Sequence, residues 1–195
     1  MKYYLLILVF YCSIGILYSQ STASGYYVTH TSDTIQAEIK IKKGAFGQIQ
    51  NDFANEVIVT GNANESIKFR PSDIAAYGFT FEEIAYQFYS KPTKKGENKF
   101  LIPIVIGPKT SLFQYSIYTS GSGGSLSSDQ IFYTFEKADG SNLLLGVVGI
   151  KKLKAELKAF YKENPAAQKL IDERLNDWLS QKKDLIEILS AVNTQ

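Results

Sequence analysis

The sequence predicts an α+β fold: an antiparallel curved sheet or small open β-barrel, followed by two or three C-terminal helices packed on it. Two observations carry this. From Gly25 to about Leu145 apolar side chains recur at every second residue, and after Gly149 they recur every three to four. The switch happens once, so the strands precede the helices instead of alternating with them. The expected organisation is a signal peptide over 1–19, a short tail over 20–24, a β-rich region over 25–148 and a helical region of the same domain over 149–195.

The strand periodicity is clearest where Ile35, Ala37, Ile39 and Ile41 alternate with Gln36, Glu38, Lys40 and Lys42, the pattern of a strand with one buried and one wet face. Tyr26 to Thr29 precede it across a Thr31-Ser32-Asp33 turn, a hairpin signal. Shorter β-signals follow at Glu56–Thr60, at Ile67 and Phe69, at Tyr77, Phe79 and Phe81, and at Ile84, Tyr86 and Phe88. The run Phe100–Ile106 is continuously apolar and predicts burial on both faces. Pro103 within it cannot donate a ladder hydrogen bond and predicts a bulge or an edge. Leu112–Tyr118 and Ile131–Phe135 read as a strand pair, Asp139-Gly140 as a turn and Leu143–Leu145 as the returning strand.

Between Leu112–Tyr118 and Ile131–Phe135 lies Thr119-Ser120-Gly121-Ser122-Gly123-Gly124-Ser125, with the Gly/Ser bias running to Ser128. Its composition predicts a flexible exposed loop that tolerates shortening. A phosphate-binding reading fails, because no Gly-Lys-Ser/Thr closes the segment and its flanks are strand-like. In the helical part Ile150, Leu153, Leu157, Phe160 and Tyr161 share one face. Asn164-Pro165 is a cap followed by proline at the first helical position. The stripe continues from Leu170 to Val192, and Lys182-Lys183 interrupts it, predicting a kink or a break into two helices.

Met1-Lys2 followed by an apolar run from Tyr3 to Leu17 has the order of a secretory signal. The run is shorter than the ~20 residues of a membrane span. Cleavage is expected between Ser19 and Gln20, with Ser21-Thr22-Ala23 offering a second small-residue site. The chain has 1 cysteine, Cys12, inside that run and preceded by the bulky Tyr11, so it is read as filler and not as a lipidation site. The mature chain then has no thiol chemistry and no disulfide. With 21 basic against 19 acidic residues, no strong attraction to nucleic acid is expected. The basic clusters Lys91, Lys94, Lys95, Lys99 and Lys151, Lys152, Lys154, Lys158 read as solvated surface.

No catalytic, cofactor-binding or metal-binding residue is assigned. His30 is the only histidine and ends the first mature strand. A triad would have to draw on His30, one of many serines and an acid such as Asp33, and no G-x-S-x-G elbow is present. Glu82-Glu83 cannot face each other on one strand and is expected to form a turn between aromatic strands. Tyr27, Tyr89 and Tyr118 fall opposite the more apolar phase of their strands and are the expected surface aromatics. Asn64-Glu65-Ser66 matches a glycosylation acceptor, of no consequence in a bacterial chain.

Several segments, in order, resemble an uncharacterised family of exported proteins from Bacteroidetes-type bacteria. Gly25-Tyr26-Tyr27-Val28-Thr29 with Asp33-Thr34-Ile35 is similar to a GYIVTxxGDTIxG start. Phe69-Arg70-Pro71-Ser72-Asp73-Ile74 with Gly78-Phe79 is similar to a second element, and Phe100-Leu101 through Gly107 to Tyr115 to a third. Departures are Ser32 where Gly precedes Asp, Asn164-Pro165 in place of Cys-Pro, and Ala191-Val192-Asn193 in place of a terminal aromatic-Asn. The resemblance implies export but no activity, because none is established for the family. The expected role is therefore a cell-envelope or secreted module, non-catalytic, binding an unknown protein or glycan partner. The alternatives are an Asp/Glu hydrolase of envelope polymers and a carrier of a small apolar ligand.

Overall fold

The structure is a computed structural model that describes residues 20–43, 52–61, 65–94, 96–119, 128–146, 149–177 and 180–194. The segment expected as a signal peptide, with Cys12, and Asn64, Lys95, Trp178 and the Gly/Ser segment 120–127 lie outside the described residues. Among the described residues the fold is α+β, ten antiparallel strands followed by three helices. The strands are β1 (Gln20–Val28), β2 (Thr34–Lys42), β3 (Val57–Thr60), β4 (Ser66–Phe69), β5 (Ala76–Phe81), β6 (Ile84–Pro92), β7 (Asn98–Val105), β8 (Thr110–Thr119), β9 (Ser128–Lys137) and β10 (Asn142–Leu145). The helices are α1 (Ile150–Phe160), α2 (Pro165–Arg174) and α3 (Gln181–Thr194). The chain divides into two compact units, Met1–Gln87 and Phe88–Gln195, with the boundary inside β6. No helix among the described residues is long and apolar enough to cross a membrane.

In the first unit β1 pairs with β2 over its full length and with β5 on its other side, while β3 joins β2 to β4. One face carries the apolar phase. Ile39, Ile41, Val57, Val59, Ile74, Tyr77 and Phe79 are buried there, and each such side chain contributes about 1.5–3 kcal/mol by leaving water. Ile35, in the same phase at the far end of β2, stays 40% exposed. The residues 20–24, expected as a tail, are strand: Gln20 pairs with Lys42 and Ala23 with Ile39. Small side chains fit there because Ile39 and Ile41 fill the space opposite them, so the segment lacks the apolar alternation that marks a strand. The hairpin turn places Ser32 at φ 69°.

In the second unit β7, β8, β9 and β10 form a meander, joined to β6 through Tyr89–Leu101 and its neighbours. The register shifts between Pro103 and Val105, the bulge expected from a proline that cannot donate. Burial on both faces holds for Phe100 and Leu101, but Ile102 is 45% and Ile106 60% exposed. Both faces are therefore covered only at the start of that apolar run. Leu112, Phe135 and Leu145 pack with Leu153 and Leu157 of α1, Ile171 of α2 and Leu185, Ile188 and Leu189 of α3.

Gly149 caps α1 and Asn164 caps α2, its Oδ1 accepting from the amide of Ala167 at 2.9 Å with Pro165 in the first position. The stripe does break into two helices. The break precedes the lysines: α2 stops at Arg174, and Ser180 donates to the Asp184 carboxylate in the first turn of α3 at 2.6 Å.

Candidate functional site

Two glycines of the first unit set up a cleft on its outer sheet face. Gly78 lies opposite Tyr26 in the β1–β5 register, and Gln36 lies opposite Tyr26 on β2. A Cβ on Gly78 would stand 2.9 Å from three atoms of the Tyr26 side chain, so the missing side chain is the seat of that ring. Beside it, a Cβ on Gly25 would stand 2.3 Å from the carbonyl oxygen of Gly78 and 2.8 Å from Cβ of Phe79. Backbone cannot yield as a flexible side chain can, so β1 and β5 approach at this point only because residue 25 is glycine.

The resulting cleft has a volume of about 300 Å³, at the lower end of the ~300–1,000 Å³ usual for small-molecule sites. Tyr26 supplies its aromatic surface, and Phe79 and Tyr86 border it from strands whose rings there turn to the buried face. The rings of Phe79 and Tyr86 are stacked at 4.9 Å between centroids, 18° from parallel. Ser24, Gln36, Thr80 and Gln87 supply hydroxyls and carboxamides, with Gly25 and Ala85 completing the wall. None of these side chains is charged at neutral pH. The closest acid in the register is Glu38, opposite Ser24 on β2, and it accepts the Ser24 hydroxyl at 2.7 Å.

The other residues singled out in the sequence are not drawn into a site. His30 is exposed at the β1–β2 turn, with Nε2 2.9 Å from the carbonyl oxygen of Ser72. Asp33 is engaged locally, its Oδ2 accepting the Thr31 hydroxyl at 2.7 Å. Among the described residues, His30 and Asp33 are thus not joined with a serine hydroxyl into a relay. Glu82 and Glu83 form the β5–β6 turn with φ of 50° and 66°, and Glu82 pairs with Lys43 at 3.0 Å. Among the described residues no group of three or more His, Cys, Asp or Glu side chains is placed to hold a metal ion.

The lysines of α1 hold helices together: Lys158 reaches Asp172 at 2.7 Å, and Lys154 reaches the Asn176 side chain at 2.9 Å. Two of the expected surface tyrosines point the other way. Tyr27 lies opposite Ile35 and Tyr77 and packs on Phe69, and Tyr89 packs on Phe113. The outward tyrosine of the Tyr26-Tyr27 pair is Tyr26. A signal for it was present, since Tyr26 shares the phase of Ser24 and lies across the hairpin from Gln36. The side chain of Tyr118 lies outside the described residues.

Buried phenols mark the interiors of both units. Tyr77 donates to the carbonyl of Phe53 at 2.8 Å. Burial, and secondarily the charge of Asp52, push its ionisation far above the ordinary tyrosine range. Burial raises Tyr115, Tyr133 and Tyr161 as well. Comparison of the chain with protein-family models, with curated proteins and with solved structures finds no match.

Proposed function

We propose that the chain is an exported, non-catalytic module of the cell envelope or the secreted fraction, and that the β1–β5 cleft takes up its protein or glycan partner. The observation that carries this is the cleft's wall: the Tyr26 ring beside the hydroxyls and carboxamides of Ser24, Gln36, Thr80 and Gln87, with no carboxylate among the lining side chains. Such a wall supplies contact area and orienting hydrogen bonds. A hydrolase of envelope polymers would need two acids converging on the bound bond, and a carrier a hollow apolar interior. The first unit's interior is filled by Tyr77, Ile39, Ile41 and Phe79. The export half of the proposal rests on Lys2 and the apolar run Tyr3–Leu17.

Heteronuclear NMR titration of the mature chain tests the site. Saturable shifts at Tyr26, Gln36 and Gln87 with a glycan or peptide support it, and saturable binding that maps elsewhere overturns it. Mass spectrometry of protein from the native host tests export. A first residue near Gln20 is expected; an intact Met1 in the cytosol overturns the reading.

A further inference from the structure

Resting on the export reading, we infer that Gln20, once freed by cleavage after Ser19, closes on itself to a pyroglutamyl lactam that seals β1 against aminopeptidases. The chemistry needs this residue alone. The new α-amine nitrogen attacks Cδ of the same side chain. The N–Cδ bond forms, the Cδ–Nε2 bond breaks, and the carboxamide nitrogen leaves as ammonia with a proton from the amine. An α-amine titrates at about 7.7–8.0, so near neutral pH a fraction of it is the free base that attacks. Ser21, Thr22, Ala23 and Ser24 have no carboxamide and could not close in this way.

The fold bears on which small-residue junction exposes that amine. At its start β1 is fully paired: Gln20 with Lys42, Ser21 with Ile41, Thr22 with Lys40 and Ala23 with Ile39. Ala23 itself is buried. A cut after Ala23 would remove these residues and leave Ile39 and Ile41, both fully buried, without their neighbours on β1. A cut after Ser19 leaves every pair in place. The junction that keeps the strand whole is the one that creates an N-terminal glutamine.

The same pairs give the lactam its use. Stepwise trimming from Gln20 would undo them one after another, and the stretch Gln20 to Ser24 has no proline to stop it. An aminopeptidase must grip a free α-ammonium, and the lactam has none. The lactam also adds no positive charge to an end of the strand pair that already carries Lys40 and Lys42.

The test is tandem mass spectrometry of the N-terminal peptide, with N-terminal sequencing, on protein freshly recovered from the native host. The expected peptide begins at residue 20, is lighter than its sequence by one ammonia, and yields to sequencing only after treatment with pyroglutamyl aminopeptidase. Gln20→Ser should begin at the same residue with full mass and an open amine. It should lose residues 20–23 to a broad-specificity aminopeptidase under conditions that leave the parent whole.

A parent peptide that begins at Gln20 with full mass overturns the lactam and leaves export standing. A first residue at Ser24 overturns the junction, and the lactam with it, while export again stands. An intact Met1 overturns the export reading itself. Equal resistance of the parent and Gln20→Ser to the aminopeptidase overturns the protective role.

Discussion

The ring of Tyr27 on β1 lies 4.8 Å from the ring of Phe69 on β4, centroid to centroid, although β2 and β3 separate those strands in hydrogen-bonding order. Three strand spacings in a flat sheet would put β1 and β4 roughly 14 Å apart. The first unit's sheet is therefore curled until its outer hairpin folds back over the buried face. The Arg70–Ala75 segment then returns to β1, where the amide of Ala75 donates to the carbonyl of Val28 at 2.8 Å. A double-mutant cycle with Tyr27→Ala and Phe69→Ala should give a coupling of about 0.5–1.5 kcal/mol. Additive losses in urea unfolding would show that the curl does not rest on this pair.

The β5–β6 turn is a site of stored strain. Glu82 and Glu83 both sit at positive φ, the geometry of a two-residue hairpin turn that favours Asn-Gly. Left-handed backbone costs a residue with a Cβ roughly 1–2 kcal/mol. The ion pair of Glu82 with Lys43 offsets little of this, because the Glu82 side chain is 68% exposed and such pairs give about 0–1 kcal/mol. Replacing Glu82-Glu83 by Asn-Gly should raise the stability by about 1–2 kcal/mol. A lower melting temperature would mean that the acidic turn has partners that outweigh its strain.

Asn193 locks the end of the chain onto the second unit's sheet. Its Oδ1 accepts from the amides of Lys109 at 3.0 Å and Thr110 at 2.9 Å, and its Nδ2 donates to the carbonyl of Thr110 at 2.9 Å. Its carboxamide also occupies the space that a side chain on Gly107 would need. Asn193→Ala leaves those backbone groups without their partner and should cost about 1–3 kcal/mol. Gly107→Ala, which pushes the carboxamide aside, should act in the same direction. Equilibrium denaturation of both variants checks this, and a loss confined to one of them would separate the hydrogen bonds from the close packing.

Acid should weaken the fold through two turn carboxylates. The Arg70 amide and, secondarily, the Ser72 hydroxyl hold Asp73 below the ordinary range. The Ser141 hydroxyl and amide do the same to Asp139. A depressed carboxyl contributes stability above its unfolded pKa, about 3.9, and that contribution is lost as pH falls through the lower folded value. The urea midpoint should therefore drop below about pH 4, and Asp73→Asn with Asp139→Asn should flatten that drop. An unchanged slope in the double variant would place the acid sensitivity elsewhere.

Alternation was enough to read β2, which buries one face, and to locate β5, β8 and β9, although consecutive residues are buried in each of those; Asn164-Pro165 marked the start of α2 directly. What escaped the sequence depends on which strands become neighbours. The assignment of Tyr27 as the outward residue failed because the curl that seats it on Phe69 is set by β3 and β4, far along the chain. The cleft was illegible for the same reason: Tyr26 meets Gly78 only through the β1–β5 pairing. Ser32, at φ 69°, occupies a left-handed backbone position that favours glycine, so the turn was legible while its strained backbone was not.

The central place of β1 in the first unit has a consequence for the order of folding. Val28 pairs with Thr34 six residues away on β2, and with Ala76 forty-eight residues away on β5. The longer closure is three doublings of the shorter, which costs roughly 2 kcal/mol more in chain entropy. The β1–β2 hairpin therefore closes early, with one flank of β1 still unpaired until β5 arrives. For a chain threaded N-terminus first, that flank stays open while the intervening residues emerge. Until β5 pairs, that flank of β1 presents the unpaired donors and acceptors of an edge strand.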